Sequence, residues 1–86
     1  MTNQEIAGVL SQIAVYQDLA GENPFKALAF EKAGRIVERH PEAMEALVRE
    51  QRLTGIKGIG SSIAEVIAEL VRTGNSSLLQ GLKAQF

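Results

Sequence analysis

The chain has 86 residues and no cysteine, which predicts a single small domain over residues 1–86, without disulfide or thiolate–metal support. Nine basic and ten acidic side chains give a net charge of -1, which excludes the strongly basic class of proteins. No apolar segment approaches the ~20 residues that span a bilayer, and no basic stretch precedes an apolar run at the N-terminus. We therefore expect a cytoplasmic protein that binds no membrane.

The first predicted helix begins at Thr2 or Asn3, either of which can cap it, and Gly21 ends it in a left-handed conformation. Its apolar residues recur at helical spacing and are Ile6, Val9, Leu10, Ile13, Tyr16 and Ala20. In the following turn, Asn23 is a good N-cap and Pro24 suits the first position of a helix.

The second predicted helix extends from Pro24 to about Arg39. Its apolar stripe is Phe25, Ala29, Ala33, Ile36 and Val37, widened by Leu28 and Phe30. Lys32, Arg35 and Arg39 share one face and can form a basic strip. Because Glu31 and Glu38 are interleaved with these cations, we favour a solvated face over a binding strip.

The chain between His40 and Leu53 predicts a third helix, since the residue before Pro41 avoids the helical region and Pro41 can open a new helix. Its apolar residues are Met44, Leu47 and Val48, and it ends near Leu53. His40 has no second histidine beside it, so a role at a helix C-terminus is favoured over metal binding.

The last third of the chain predicts two more helices. The fourth begins at Ser61 or Ser62 and stops at Thr73-Gly74, with the apolar stripe Ile63, Val66, Ile67, Leu70 and Val71. Glu65 and Glu69 on this helix are expected to face solvent. Ser76 or Ser77 caps a short fifth helix that carries Leu78, Leu79 and Leu82. Since every segment has the helical period, we expect an all-α compact bundle of about five short helices.

Three glycines between Gly55 and Gly60 precede the fourth helix. Gly58 and Gly60 can adopt backbone angles closed to other residues, and the absence of Cβ lets a partner approach the main chain. The first turn of the fourth helix carries N–H groups without an internal acceptor, at the positive end of the helix dipole. Ile59 would turn inward and attach the hairpin to the core. Such a hairpin can hold a phosphate without reading a base.

The segment TGIKGIGSSIAEVI resembles the helix-hairpin-helix motif of DNA repair proteins, whose pattern is roughly Leu-Pro-Gly-Ile-Gly, two variable residues and Ile-Ala-x-x-Ile. NPFKALAFEKAGRIV and TGNSSLLQGLK, on either side of it, resemble the N-terminal lyase-type domain of family X DNA polymerases in the same order. The likeness covers roughly residues 6–83, and three blocks at matching spacing make it specific.

The resemblance implies a site for single-stranded or gapped DNA at the hairpin. It implies phosphate contacts from the residues Lys57, Gly58, Gly60, Ser61 and Ser62, and from Lys26, which matches a family lysine that contacts a 5′ phosphate. It also implies a monovalent cation, Na⁺ or K⁺, facing the backbone carbonyls of Thr54, Ile56 and Ile59. Phe30 stands where the family has a tyrosine near this pocket. No other cofactor is expected.

The lyase chemistry of the family requires a lysine amine that attacks the C1′ aldehyde of an abasic sugar. Val66 occupies that position here and cannot perform the attack, so no catalytic residue is predicted. Ser62 stands where relatives often have a phosphate-binding lysine, and Asn75 and Leu78 also replace basic residues. Each replacement removes a contact of the kind that supplies most non-specific affinity.

Three functions are therefore compared. The favoured one is a DNA-backbone binding module without lyase catalysis, motivated by the hairpin and limited by Val66. The second is an abasic-site 5′-deoxyribose phosphate lyase with a displaced nucleophile such as Lys26 or Lys57, or a piece of a family X polymerase. The third is a protein-interaction domain that kept only the fold.

Overall fold

Five α-helices and one short 3₁₀ helix make up the chain, and it contains no β-strand. The computed structural model describes residues 1–86, with α1 at Asn3–Leu19, α2 at Pro24–Arg39, α3 at Met44–Arg49, the 3₁₀ helix at Leu53–Gly55, α4 at Ser61–Thr73 and α5 at Ser77–Lys83. The all-α prediction is confirmed. None of the helices combines the length and the apolar character that crossing a membrane would require.

A side-chain cap and a left-handed glycine set the two ends of α1. The Thr2 hydroxyl accepts the Glu5 N–H at 3.1 Å, and the Glu5 carboxylate accepts the Thr2 N–H at 2.8 Å, which forms a capping box. At the other end, Gly21 has φ +73°, and its N–H and that of Glu22 satisfy the last carbonyls of the helix. The predicted start and stop of α1 are both confirmed.

The pairing of α1 with α2 is very close at Gly34. A Cβ at this position would lie 3.3 Å from the Ala7 carbonyl oxygen and 3.2 Å from the Ser11 hydroxyl. The buried residues of α2 are Ala27, Phe30, Ala33, Gly34 and Val37. Small side chains therefore face α1 and allow the two backbones to approach.

The predicted stripe of α2 is wrong at its N-terminal end. Phe25 is 76% exposed, Leu28 is 41% exposed, and Ala29 is also exposed. Phe30, which the prediction placed at the margin of the stripe, is buried instead. The physical reason is the Gly34 contact, because it selects the helix face that carries the small residues and turns Phe25 away from the core.

The start and end of α3 also differ from the prediction. Pro41 does not open α3, because the Asn3 side chain holds the preceding turn by donating to the Glu42 carbonyl at 2.8 Å and accepting the Met44 N–H at 2.8 Å. The helix ends at Arg49 rather than near Leu53, and the chain passes through Gln51 with φ +56°. His40 is the C-cap of α2, and its Nδ1 accepts the Glu42 N–H.

The helices α4 and α5 complete the core. The α4 residues Ile63, Val66, Ile67 and Leu70 are buried as predicted, and Gly74 ends the helix with φ +77°. Ser76 caps α5 by accepting the Leu79 N–H at 3.2 Å, but Leu78 is 37% exposed and lies at the margin of the core. The side chains with least exposure come from α1, α2, α3 and α4, and include Ile6, Leu10, Ile13, Val37, Met44, Leu47, Ile67 and Leu70.

Glu69 links α4 to α5 instead of pointing freely into solvent. Its carboxylate accepts the Ser77 hydroxyl and the Ser77 N–H. These hydrogen bonds, the hydroxyl first and then the N–H, hold the pKa of the Glu69 carboxyl below its ordinary value of 4.5. Glu65 is exposed, as expected.

Replacing Gln51 by glycine should stabilise the fold. Gln51 is the one non-glycine residue with positive φ, a conformation that costs an L-residue about 1–2 kcal/mol. Part of this gain is offset because glycine has more freedom in the unfolded chain, so Gln51→Gly should raise the free energy of unfolding by about 0.5–1 kcal/mol. Urea denaturation measures it, with Gly74→Ala as a control that should lower stability. An unchanged or lower value for Gln51→Gly would contradict the assignment.

The Ser77–Glu69 contact predicts a pH-dependent effect of Ser77→Ala. Because the folded pKa of Glu69 is lowered, its contribution to stability is present above the unfolded pKa and is lost as the pH falls through the folded pKa. Ser77→Ala should therefore destabilise the protein more at about pH 7 than at about pH 2.5. Thermal unfolding of both proteins at both pH values measures the difference, and an equal effect at both would contradict the prediction.

Candidate functional site

Ile59 attaches the hairpin, residues 55–60, to the core. Its side chain is 3% exposed, and its N–H donates to the Ile56 carbonyl at 3.1 Å. Gly58 precedes it with φ +94°, and a Cβ there would lie 2.5 Å from the Cδ1 of Ile36 on α2. The backbone angle therefore requires glycine at position 58, and any Cβ there would also displace the end of the Ile36 side chain. The predicted inward position of Ile59 is confirmed.

Gly60 does not need its predicted special backbone angle. Its φ of -77° and ψ of 174° are open to every residue, and a Cβ there would meet nothing within 4 Å. The geometry of the fold thus gives no reason for glycine at this position. What glycine provides here is an uncovered main chain at the entrance of α4.

The N-terminus of α4 has no cap. The backbone N–H groups of Gly60, Ser61, Ser62 and Ile63 have no acceptor in the protein, and the first bonded donor is the Ala64 N–H. Every other α-helix has a side-chain acceptor at this end, from Thr2 for α1, Asn23 for α2, Asn3 for α3 and Ser76 for α5. Since a helix N-terminus carries roughly half a positive charge, α4 presents an uncapped site for an anion.

A cleft of ≈ 660 Å³ lies beside this uncapped end. Gly58, Gly60, Ser61 and Ser62 line one side of it. Gln17 comes from the last turn of α1, and Phe25, Lys26 and Phe30 come from the N-terminal half of α2. Val66 and Leu78 come from α4 and α5. Of the predicted phosphate-binding residues, the structure brings five together here and leaves out Lys57, which is exposed at the tip of the hairpin.

The cleft carries little charge of its own. Lys26 is exposed and forms no ion pair, and Glu22 is a carboxylate in the same lining. Val66, at the position where the family resemblance implies a nucleophile, is 8% exposed among apolar neighbours. Positive potential in the cleft therefore comes mainly from Lys26 and the N-terminus of α4.

Two residues of the cleft, Gln17 and Phe25, were not predicted from the sequence as site residues. Gln17 is 3% exposed, and its Oε1 has no hydrogen-bond partner. The sequence feature that could have identified Gln17 is its polar side chain on the apolar stripe of α1, four residues after Ile13. Phe25 was assigned to the core, and its proximity to the Asn23-Pro24 cap is the only hint that it lies at a helix end.

The three carbonyls of the expected cation site have different hydrogen-bond states. The Ile56 carbonyl accepts the Ile59 N–H, whereas the carbonyls of Thr54 and Ile59 accept no hydrogen bond. Free carbonyl oxygens are the donor type that a hard monovalent cation takes. The donor set is therefore compatible with such an ion.

The basic face of α2 borders the other side of the hairpin. Lys32, Arg35 and Arg39 surround a shallow depression together with Ile36, the residue that packs on Gly58. Arg35 pairs with Glu31 at 3.6 Å, and both side chains are more than half exposed. An exposed pair at this spacing contributes little, so the face remains largely solvated.

Comparison with known proteins agrees with this geometry. The model of the family described as "Helix-hairpin-helix domain" matches residues 1–76. The chain is also 34% identical over 85 residues to the DNA polymerase/3'-5' exonuclease PolX of Bacillus subtilis (strain 168), an alignment that covers 99% of this chain and 14% of that protein. The chain thus spans about a seventh of the relative's length, and it matches the N-terminal region. It belongs to the helix-hairpin-helix domain family, in the form found in family X DNA polymerases.

Proposed function

We propose that this domain binds DNA through the sugar–phosphate backbone, with one phosphate at the uncapped N-terminus of α4. The observation that carries the proposal is the set of unbonded N–H groups from Gly60 to Ile63, beside the exposed amine of Lys26. Main-chain donors and the helix dipole favour an anion at this point. A phosphate diester is the anion that a helix-hairpin-helix domain of this family would meet on DNA.

The binding is independent of sequence and modest in strength. Contacts to phosphate position a protein on DNA but do not distinguish bases. Lys26 is the one cationic side chain in the lining of the cleft, Lys57 lies at the tip of the hairpin, and the chain as a whole has a net charge of -1. Because phosphate neutralisation by cations supplies most non-specific affinity, few cations mean weak binding with a shallow salt dependence. Single-stranded or gapped DNA is the proposed form, as the family resemblance implies.

The proposed activity does not include lyase chemistry. Val66 offers no amine, and the two lysines nearest the hairpin, Lys26 and Lys57, are both exposed. A Schiff-base nucleophile must lose its proton, and burial is the usual means of making a lysine amine neutral. The domain therefore acts as a binding module rather than an enzyme.

A monovalent cation at the carbonyls of Thr54, Ile56 and Ile59 is proposed as a second element of the site. Two of these oxygens have no hydrogen bond, which fits the donor requirement. A bound Na⁺ or K⁺ would add positive charge to the hairpin. Amide chemical shifts of residues 54–60 in K⁺ compared with tetramethylammonium buffers test this without reference to DNA.

Gly60→Ala should separate DNA binding from folding. The backbone at Gly60 accepts alanine without strain, and the new methyl group would occupy part of the open space through which a phosphate approaches the unbonded N–H groups. Loss of a charge-assisted hydrogen bond costs about 1.5–3 kcal/mol, so the affinity for a single-stranded oligonucleotide should fall about tenfold or more. Fluorescence anisotropy at low salt measures it, and the thermal midpoint should change little, because the entropic gain from alanine is offset by its poorer fit to the N-cap position of α4.

The matched control is Gly8→Ala, which makes the same change on an exposed face of α1. It should leave the affinity unchanged. Equal affinities for the wild type, Gly60→Ala and Gly8→Ala would contradict phosphate binding at α4. Absence of any DNA binding at low salt would contradict the proposed function altogether.

Borohydride trapping should give no covalent adduct with DNA that carries a 5′-deoxyribose phosphate. The reason is the apolar side chain of Val66 in the cleft. Mass spectrometry after reduction detects an adduct directly and identifies its lysine. An adduct at Lys26 or Lys57 would overturn the binding-only proposal and favour a displaced nucleophile.

A further inference from the structure

We propose that the cleft beside the hairpin receives an unpaired nucleobase, which belongs to the strand whose phosphate lies at the N-terminus of α4. This inference rests on the proposed backbone binding and adds to it a second ligand group. The hairpin contacts would hold the phosphate at the rim of the cleft, while the cleft would hold the base attached to the same strand.

The first observation is the buried side-chain amide of Gln17. It lines the cleft at 3% exposure, and its Oε1 has no hydrogen-bond partner. A buried polar group without a partner costs about 1–3 kcal/mol, and native structures rarely leave one. A ligand in the cleft that carries hydrogen-bond donors would supply the missing partner of this amide. A nucleobase offers such donors next to ring or carbonyl acceptors, and these complement a side-chain amide.

The second observation is the aromatic and apolar lining around that amide. Phe25 is 76% exposed at the cleft, and its backbone is fixed because its N–H donates to the Asn23 side chain at 2.9 Å. Phe30, Val66 and Leu78 supply further apolar surface. An exposed phenyl ring at a rigid helix start is suited to stacking on a flat ligand, and such stacking contributes about 1–3 kcal/mol per base.

The balance of charge and the size of the cleft favour the same ligand. Lys26 and Glu22 leave the lining close to neutral, which suits an uncharged ring better than a second phosphate. A volume of ≈ 660 Å³ lies within the usual range of small-ligand sites, about 300–1,000 Å³. A base paired in a duplex has its edge and both faces occupied, so the base that enters must be unpaired.

The test compares three DNA duplexes of the same sequence by fluorescence anisotropy. One is blunt, one has a single 5′-overhanging adenine nucleotide, and one has a tetrahydrofuran abasic residue at the overhang. The wild type should bind the adenine overhang about tenfold more tightly than the abasic one, as a stacking gain within the range above implies. With 2-aminopurine at the overhang, binding should also change its emission, which no tryptophan of the chain obscures.

Two variants assign the effect to the cleft. Gln17→Leu and Phe25→Ala should each reduce the preference for the base to about threefold or less, while affinity for the abasic overhang stays unchanged. Gln17→Leu should also raise the thermal midpoint, because it removes a buried unpartnered oxygen. The control is Leu19→Ala, which truncates a 63% exposed apolar side chain outside the cleft and should leave the preference intact.

The outcomes separate this inference from the function on which it rests. Equal affinity for the adenine and abasic overhangs would overturn the base site while backbone binding stands. Tighter binding of the abasic overhang would overturn it as well. A preference for the base that survives both Gln17→Leu and Phe25→Ala would place the base elsewhere and overturn the assignment to the cleft. No binding to any of the three duplexes, or to a single strand, would overturn both proposals.

Discussion

The burial of Ile59 is the constraint on which the site depends. Its side chain is almost completely enclosed, and Gly58 before it packs on Ile36 of α2. The hairpin is therefore fixed between two helices, and α4 must begin where Gly60 leaves the core. Because no side chain reaches back to cap α4, its first N–H groups stay unbonded at the surface. The packing of one apolar residue thus produces an anion site made almost entirely of main chain.

The cleft beside that site has few basic side chains and carries aromatic and amide groups instead. By resemblance, Val66 and Leu78 stand at positions where relatives of this family carry basic residues, and both side chains line the cleft. The result is a lining with one lysine, one carboxylate, two phenyl rings and the amide of Gln17. This lining weakens the electrostatic attraction for a charged sugar phosphate. The two phenyl rings and the amide suit a neutral base better. This difference is the physical basis for placing the phosphate at the rim of the cleft and the base inside it.

Local signals predicted much of the fold from sequence, and long-range contacts account for the errors. The cap at Asn23, the left-handed glycines Gly21 and Gly74 and the burial of Ile59 depend on neighbouring residues and were predicted. The exposure of Phe25 depends on how closely α1 approaches Gly34, which no local pattern reveals. The late start of α3 depends on the Asn3 side chain, about forty residues away. Within the site, the hairpin donors were predicted, while Gln17 was missed because its lack of a partner is a property of the packed core.

The most direct test of the account is a ¹⁵N-resolved NMR titration of the protein with a short single-stranded oligonucleotide at low salt. The account predicts that the largest amide shifts fall on Gly60, Ser61 and Ser62, where N–H groups without a protein acceptor gain a phosphate oxygen. The amides of capped helix starts outside the cleft, such as Glu5 and Leu79, should move much less. Unchanged Gly60–Ser62 amides, with shifts concentrated on another face, would contradict the central claim.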